Sequence, residues 1–249
     1  MLAGALACAL AACGAVGGGG AAMSPSAKAE VAGRAADGER KARPGLVDPR
    51  PLHGAGAVAF DPAGPRLAWA AGHEVRRYAL DDGSEQPRLA IGHPVVDLGY
   101  APDGALWVIA DVPQLWRDGV LQCRAEQVEA ERLLAADAEG AVVTGYMHSD
   151  GVGMLRRQVW LDSRCGLVEE SLAPVPAGVT DAAADPGAPL GRAGLRIAQP
   201  EPADLAARLQ QVQLPAGAGV ERAVQVSADG QWWVLDGAQG RTLWRLDRP

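Results

Sequence analysis

The chain holds four histidines, His53, His73, His93 and His148. No two stand at the spacing with which a helix or strand offers ligands to one metal ion. His148-Ser149-Asp150 contains the residue types of a hydrolytic triad. Adjacent residues in one turn cannot line up as nucleophile, base and orienter, so HSDGVG reads as a solvated turn between two strands. Gly151-Val152-Gly153 lacks the third glycine of a dinucleotide loop, and no helical pattern follows it. The acidic pairs Asp81-Asp82 and Glu169-Glu170 read as solvated strand ends. The sequence has no Asn at all, which removes sites built on Asn ligands or Asn oxyanion donors. No catalytic residue, metal site or cofactor is therefore expected. Arg and Trp remain as contact residues. Arg76-Arg77 and Arg156-Arg157 recur at matched places along the chain. They are either outward charges that blunt strand edges or part of a polar contact surface. Trp232 and Trp233 are neighbours on one strand and face opposite sides, so one of them is expected at the surface. Trp233 joins the four arginines as a candidate contact residue.

Composition bounds what can position these groups. With 249 residues, 48% of them hydrophobic, the chain can bury a sizeable core. The net charge of −7 disfavours nucleic acid, which rewards clustered positive charge. Two Lys against 21 Arg, with the Ala excess, reflect a GC-rich genome and carry no functional message.

Residues 1–12, MLAGALACALAA, are small and apolar and lead directly to Cys13. This is a short secretory signal. Leu10-Ala11-Ala12-Cys13 resembles a bacterial lipobox, which implies cleavage before Cys13 and lipidation of its thiol; an ordinary signal peptide is the alternative. Cys8 would leave with the signal. Each buried CH₂ of an acyl chain is worth about 0.8 kcal/mol, so several chains anchor stably. Residues 13–44 are Gly, Ala, Ser and charge, a flexible tether that cannot bury enough surface to order itself. Gly14, standing where sorting signals place Asp, implies by resemblance to enterobacterial lipoproteins the periplasm and the outer membrane. The tether carries a net +2, and the domain from Gly45 on has 18 basic against 27 acidic residues.

Within residues 45–249 a motif recurs: an alternating apolar strand, a turn ending in Gly, a second strand, and a third near an aromatic. The copies begin AVAF-DPAG-PRLAWA, VDLGY-APDG-ALWVIA, RLLAA-DAEG-AVVTGY and AVQV-SADG-QWWVLD. Their turn glycines, Gly64, Gly104, Gly140 and Gly230, suit tight turns closing at positive φ. A degenerate copy, TDAAADPG-APLG with Gly187, falls between the last two. Units of about 40 residues with three or four strands are propeller blades. The pattern is similar to bacterial WD40-like and PQQ-like β-propeller repeats, most closely at Val159-Trp160-Leu161-Asp162 and Trp244-Arg245-Leu246-Asp247. The expected fold is all-β, a propeller of about five blades, the fourth irregular. Pro202–Val212 reads as a short helix with Leu205, Leu209 and Val212 on one face. The last copy ends after its third strand, and Gly45–Leu52 is the segment able to supply the fourth. A smaller β-sandwich is the alternative. Cys123 and Cys165, 42 residues apart, occupy similar places in adjacent copies, so a disulfide is expected in an oxidising periplasm.

These readings converge on a lipid-anchored periplasmic module that contacts an unidentified envelope protein. It would act as an assembly scaffold, or as an immunity-type lipoprotein that neutralises a basic toxin. The alternative is a propeller hydrolase, of lactonase or phosphodiesterase type, with a metal held by Asp and Glu in the central channel.

Overall fold

In the computed structural model, residues 44–149, 151, 153–175 and 202–247 are described. They form four four-stranded antiparallel sheets and one helix. The first sheet is β2 (Val58–Phe60), β3 (Arg66–Ala71), β4 (Glu74–Ala79) and β5 (Glu85–Ala90). The second is β6 (Asp97–Tyr100), β7 (Leu106–Ile109), β8 (Pro113–Arg117) and β9 (Val120–Arg124). The third is β10 (Arg132–Ala136), β11 (Gly140–Ser149), β12 (Gly153–Asp162) and β13 (Leu167–Pro174). The last contains β14 (Val220–Val226), β15 (Trp232–Gly237) and β16 (Gly240–Asp247), and β1 (Gly45–Pro51) pairs antiparallel with β16 as its outermost strand.

The sequence alternation that builds each strand also builds the cores between sheets. On β3, Leu67 and Trp69 pack with Val234 and Leu243 of the last sheet, whereas Ala68 and Ala70 pack with Leu98 and Val108 of the second. On β7, Leu106 and Val108 face the first sheet, whereas Trp107 and Ile109 face Leu133, Val143 and Val159 of the third. Both faces of a sheet are thus buried, which is why β6 and β7 are buried at every position. Innermost strands of successive sheets touch, β14 with β2, β2 with β6, and β6 with β10. The architecture is that of a β-propeller.

The helix α1 (Pro202–Leu209) lies against the last sheet. Its Leu205 and the following Val212 are buried with Leu46, Trp233, Leu235 and Trp244. This is the face that the sequence pattern assigned to Leu205, Leu209 and Val212. The degenerate copy around Gly187 lies outside the described residues, so the described blades number four.

The turn glycines divide in a way the sequence did not anticipate. Gly104 and Gly230 have φ of 81° and 71°, the left-handed region that favours glycine. Gly140 does not; a Cβ there would lie 1.9 Å from the Leu161 carbonyl oxygen, so it is glycine for lack of room. Each turn is tied by an aspartate. Asp61, Asp137 and Asp229 accept backbone N–H bonds from Ala63, Glu139 and Gln231 at 2.8–2.9 Å, and Asp103 accepts one from Ala105 at 3.2 Å.

Candidate functional site

Residues of the innermost strands and of α1 line a cavity of about 1570 Å³, among them Val58, Asp97, Arg132, Leu205, Gln225 and Arg241. This is where a propeller enzyme would gather its ligands. Of the carboxylates that line the cavity, Glu131 and Glu221 are exposed, and the buried Asp97 is engaged in holding the fold. Asp97, 5% exposed, accepts the Leu98 N–H on Oδ1 at 2.9 Å and the Leu133 N–H on Oδ2 at 2.8 Å, so it ties the second sheet to the third. Asp236 accepts from Arg241 Nε at 2.6 Å and from Arg222 Nη2 at 2.9 Å. The Arg241 hydrogen bond, assisted by Arg222, holds the Asp236 carboxyl below the usual carboxylate range. Arg241 also donates to the Gly56 carbonyl, joining the last sheet to the first. Among the described residues, no group of three or more His, Cys, Asp or Glu side chains is placed to hold a metal ion.

A second polar cluster lies between the first and second sheets. Arg66 donates Nε to the fully buried Asp61 carboxylate at 2.6 Å and stands over the Tyr100 ring, 5.8 Å from its centre. Burial pushes the Tyr100 phenol up to about 12, against the opposing pull of Arg66 and Arg77. Burial also lowers the Arg77 guanidinium.

The candidate contact residues fare unequally. Trp233 is only 4% exposed and packs beneath α1, and Trp232 is half-buried against the first sheet. Alternation implies a wet face only where a sheet has one, and here the neighbouring sheet covers one side and α1 the other. Arg77 is likewise buried, 8% exposed, and donates Nη2 to the Pro87 carbonyl at 2.8 Å. It sits opposite Ala68 and over Gly119, where a Cβ would come within 2.8 Å of the guanidinium. Trp233 and Arg77 are therefore not surface residues. Arg76 pairs with Glu74 and Arg157 with Glu170, each at 2.8 Å, and Arg156 is half-buried. Arg76 and Arg156 hold equivalent positions, each opposite an aromatic residue, Trp69 and Tyr146. Cys13 and Cys8 lie outside the described residues, as do the side chains of His148 and Ser149.

Cys123 and Cys165 form a disulfide with a Cα separation of 5.8 Å. It joins β9 to the turn between β12 and β13. Around it lies a surface the sequence analysis missed. Val120 is 61% exposed and Leu121 39%, on β9; Leu167 is 40%, Val168 52% and Leu172 52%, on β13. Glu169 and Glu170 are not at a strand end but in the body of β13. No periodic signal marks LVEESL, because an outermost strand with both faces wet has no reason to alternate.

No family model matches this chain, and no curated protein sequence matches it. Solved structures do share its shape in part. A chain of the mitotic checkpoint complex aligns at 14% identity and a TM-score of 0.45, over 91% of this chain and 97% of that one. The Cps50 (Swd1) β-propeller domain of Myceliophteria thermophila aligns at 14% identity and 0.38, over 82% and 58%. Hydrazine synthase of Kuenenia stuttgartiensis aligns at 16% identity and 0.39, over 47% and 37%, so this chain spans little more than a third of that one.

Proposed function

We propose that this chain is a non-enzymatic, lipid-anchored propeller that binds another protein in the bacterial cell envelope. One observation carries the reading. The disulfide joins β9 to the turn that leads into β13, and four exposed large apolar residues of these outermost strands, Val120, Leu121, Leu167 and Val168, lie within three residues of Cys123 or Cys165. Exposed apolar groups gathered in one patch mark an interaction site. The central cavity offers a contrast, since its buried carboxylate, Asp97, is committed to two backbone N–H groups.

In this reading Cys13 carries the lipid and residues 13–44 tether the domain to the outer membrane. The partner is an assembly component or a basic toxin, as suits a domain with 27 acidic against 18 basic residues.

The test is affinity capture of the full-length lipidated protein from its own envelope, beside a Val120→Asp/Val168→Asp variant. A specific partner retained by the parent and lost by the variant is expected. Equal capture by both would move the contact elsewhere, and metal-dependent hydrolysis with no specific partner would overturn the reading. Cys13→Ala is expected to release the protein from membranes into the soluble fraction. Retention in the membrane would refute the anchor.

A further inference from the structure

Among the described residues, the four sheets end on β1, β5, β9 and β13, and no described strand pairs with their outer edges. Such edges expose unpaired N–H and C=O groups, and folds usually blunt them. β1 is blunted by Pro49 and Pro51, by Asp48 at a φ of 55° and by a register shift between Val47 and Arg50. β5 carries Pro87 and a register shift. β9 has only five residues and a shift of its own. β13 has eight; its register shift falls near its start, at Val168, and from Glu169 opposite Trp160 to Pro174 opposite Leu155 the register runs unbroken.

The direction of its free groups follows from one bond. Val175 N–H donates to the Met154 carbonyl. Alternation along an antiparallel ladder then turns Ala173, Ser171 and Glu169 toward β12, and turns the N–H and C=O groups of Leu172 and Glu170 outward. Pro174, which has no N–H, also falls on an outward position and ends the usable edge. Resting on the protein-binding reading above, we propose that β13 is a docking edge that takes an extended basic and apolar segment of a partner protein as the fifth strand of the third sheet.

Charge selects the occupant. A strand laid along this edge has its side chains beside Val168, Glu169 and Leu172; Glu170 already pairs with Arg157, so Glu169 is the carboxylate opposite which Lys or Arg is favoured. A second copy of this chain fits badly. The register that pairs the outward groups of Glu170 with those of the copy's Glu170 sets two carboxylates opposite each other, a destabilising pair, and the register that pairs Glu170 with the copy's Leu172 offers the carboxylate no cation.

The probe is a labelled peptide, acetyl-Thr-Val-Lys-Val-Arg-Val-Lys-Thr-amide, titrated into the full chain by fluorescence anisotropy. Its counterparts are the same peptide with Glu replacing every Lys and Arg, and one N-methylated at alternate residues. The basic peptide is expected to bind and the other two to bind at least about tenfold more weakly. Leu172→Pro removes one outward N–H and no bond to β12, and is expected to weaken the basic peptide by a similar factor. Glu169→Lys reverses a surface charge, and is expected to weaken it as much even if Leu172→Pro fails to fold. Equal binding of the acidic and basic peptides would overturn the proposal. So would unchanged binding by a folded Leu172→Pro variant, or a parent dimer that this variant makes monomeric. Equal capture of an envelope partner by parent and Leu172→Pro protein would overturn the docking edge and leave the protein-binding reading standing.

Discussion

Asp97 offers a sharp test of how the second and third sheets are held together. Its two carboxylate oxygens each accept one backbone N–H, from Leu98 at 2.9 Å and from Leu133 at 2.8 Å, the latter 36 residues away. In Asp97→Asn the amide oxygen can take only one of these, and the NH₂ group must face the other N–H. The loss is one charge-assisted hydrogen bond, worth roughly 1.5–3 kcal/mol, with a buried donor left unpaired at about 1–3 kcal/mol. These overlap, so we expect about 3 kcal/mol. At a urea dependence of about 2 kcal/mol per molar, the unfolding midpoint should fall by roughly 1.5 M. The assay is urea titration at neutral pH, followed by tryptophan fluorescence with the disulfide intact. Asp103→Asn is the comparison. Asp103 also caps a turn, but its Arg117 partner is 45% exposed, and that change should cost about 1 kcal/mol or less. An Asp97→Asn midpoint that falls no further than that of Asp103→Asn would refute the bridging role.

Other consequences are equally direct. Replacing Cys123 and Cys165 together by Ser opens a loop with a 42-residue separation, which the chain-entropy model values at about 4 kcal/mol; an unchanged urea midpoint would show that the bridge constrains nothing. Because burial raises the Tyr100 phenol to about 12, the unfolded chain ionises it first, near pH 10, so stability should fall as pH climbs from about 10 toward 12. Tyrosinate absorbance should show one of the three tyrosines titrating last, and Tyr100→Phe should remove that step. Leu205→Ala empties a site that is 3% exposed beneath α1 and should cost about 3 kcal/mol, with a red shift of tryptophan emission as Trp233 and Trp244 lose their cover. A loss under about 0.5 kcal/mol would mean that α1 is not seated on the last sheet.

Much of the fold was legible because its signals are local. The runs AVAF, VDLGY, RLLAA and AVQV with their Asp- and Gly-bearing turns locate the inner strands, since a half-turn of chain needs those residues and a pleated strand needs that alternation. Helix α1 announces itself through Leu205, Leu209 and Val212 at helical spacing. The cysteine pair was readable from its place in adjacent repeats. The errors share one cause. Trp233 and Arg77 were assigned to the surface on the premise that each strand has a wet face, and packing between sheets removes that face.

The linear order of residues therefore determined where the chain turns, which strands pair with their sequence neighbours, and which cysteines come together. Each of these depends on contacts within about one repeat. Tertiary structure alone decided which side chains meet water. It buries Arg77 against the Pro87 carbonyl, joins Asp97 to Leu133, and leaves Val168, Glu169 and Leu172 on an outer strand. Exposure depends on what lies on both sides of a sheet, and no single repeat contains its neighbours.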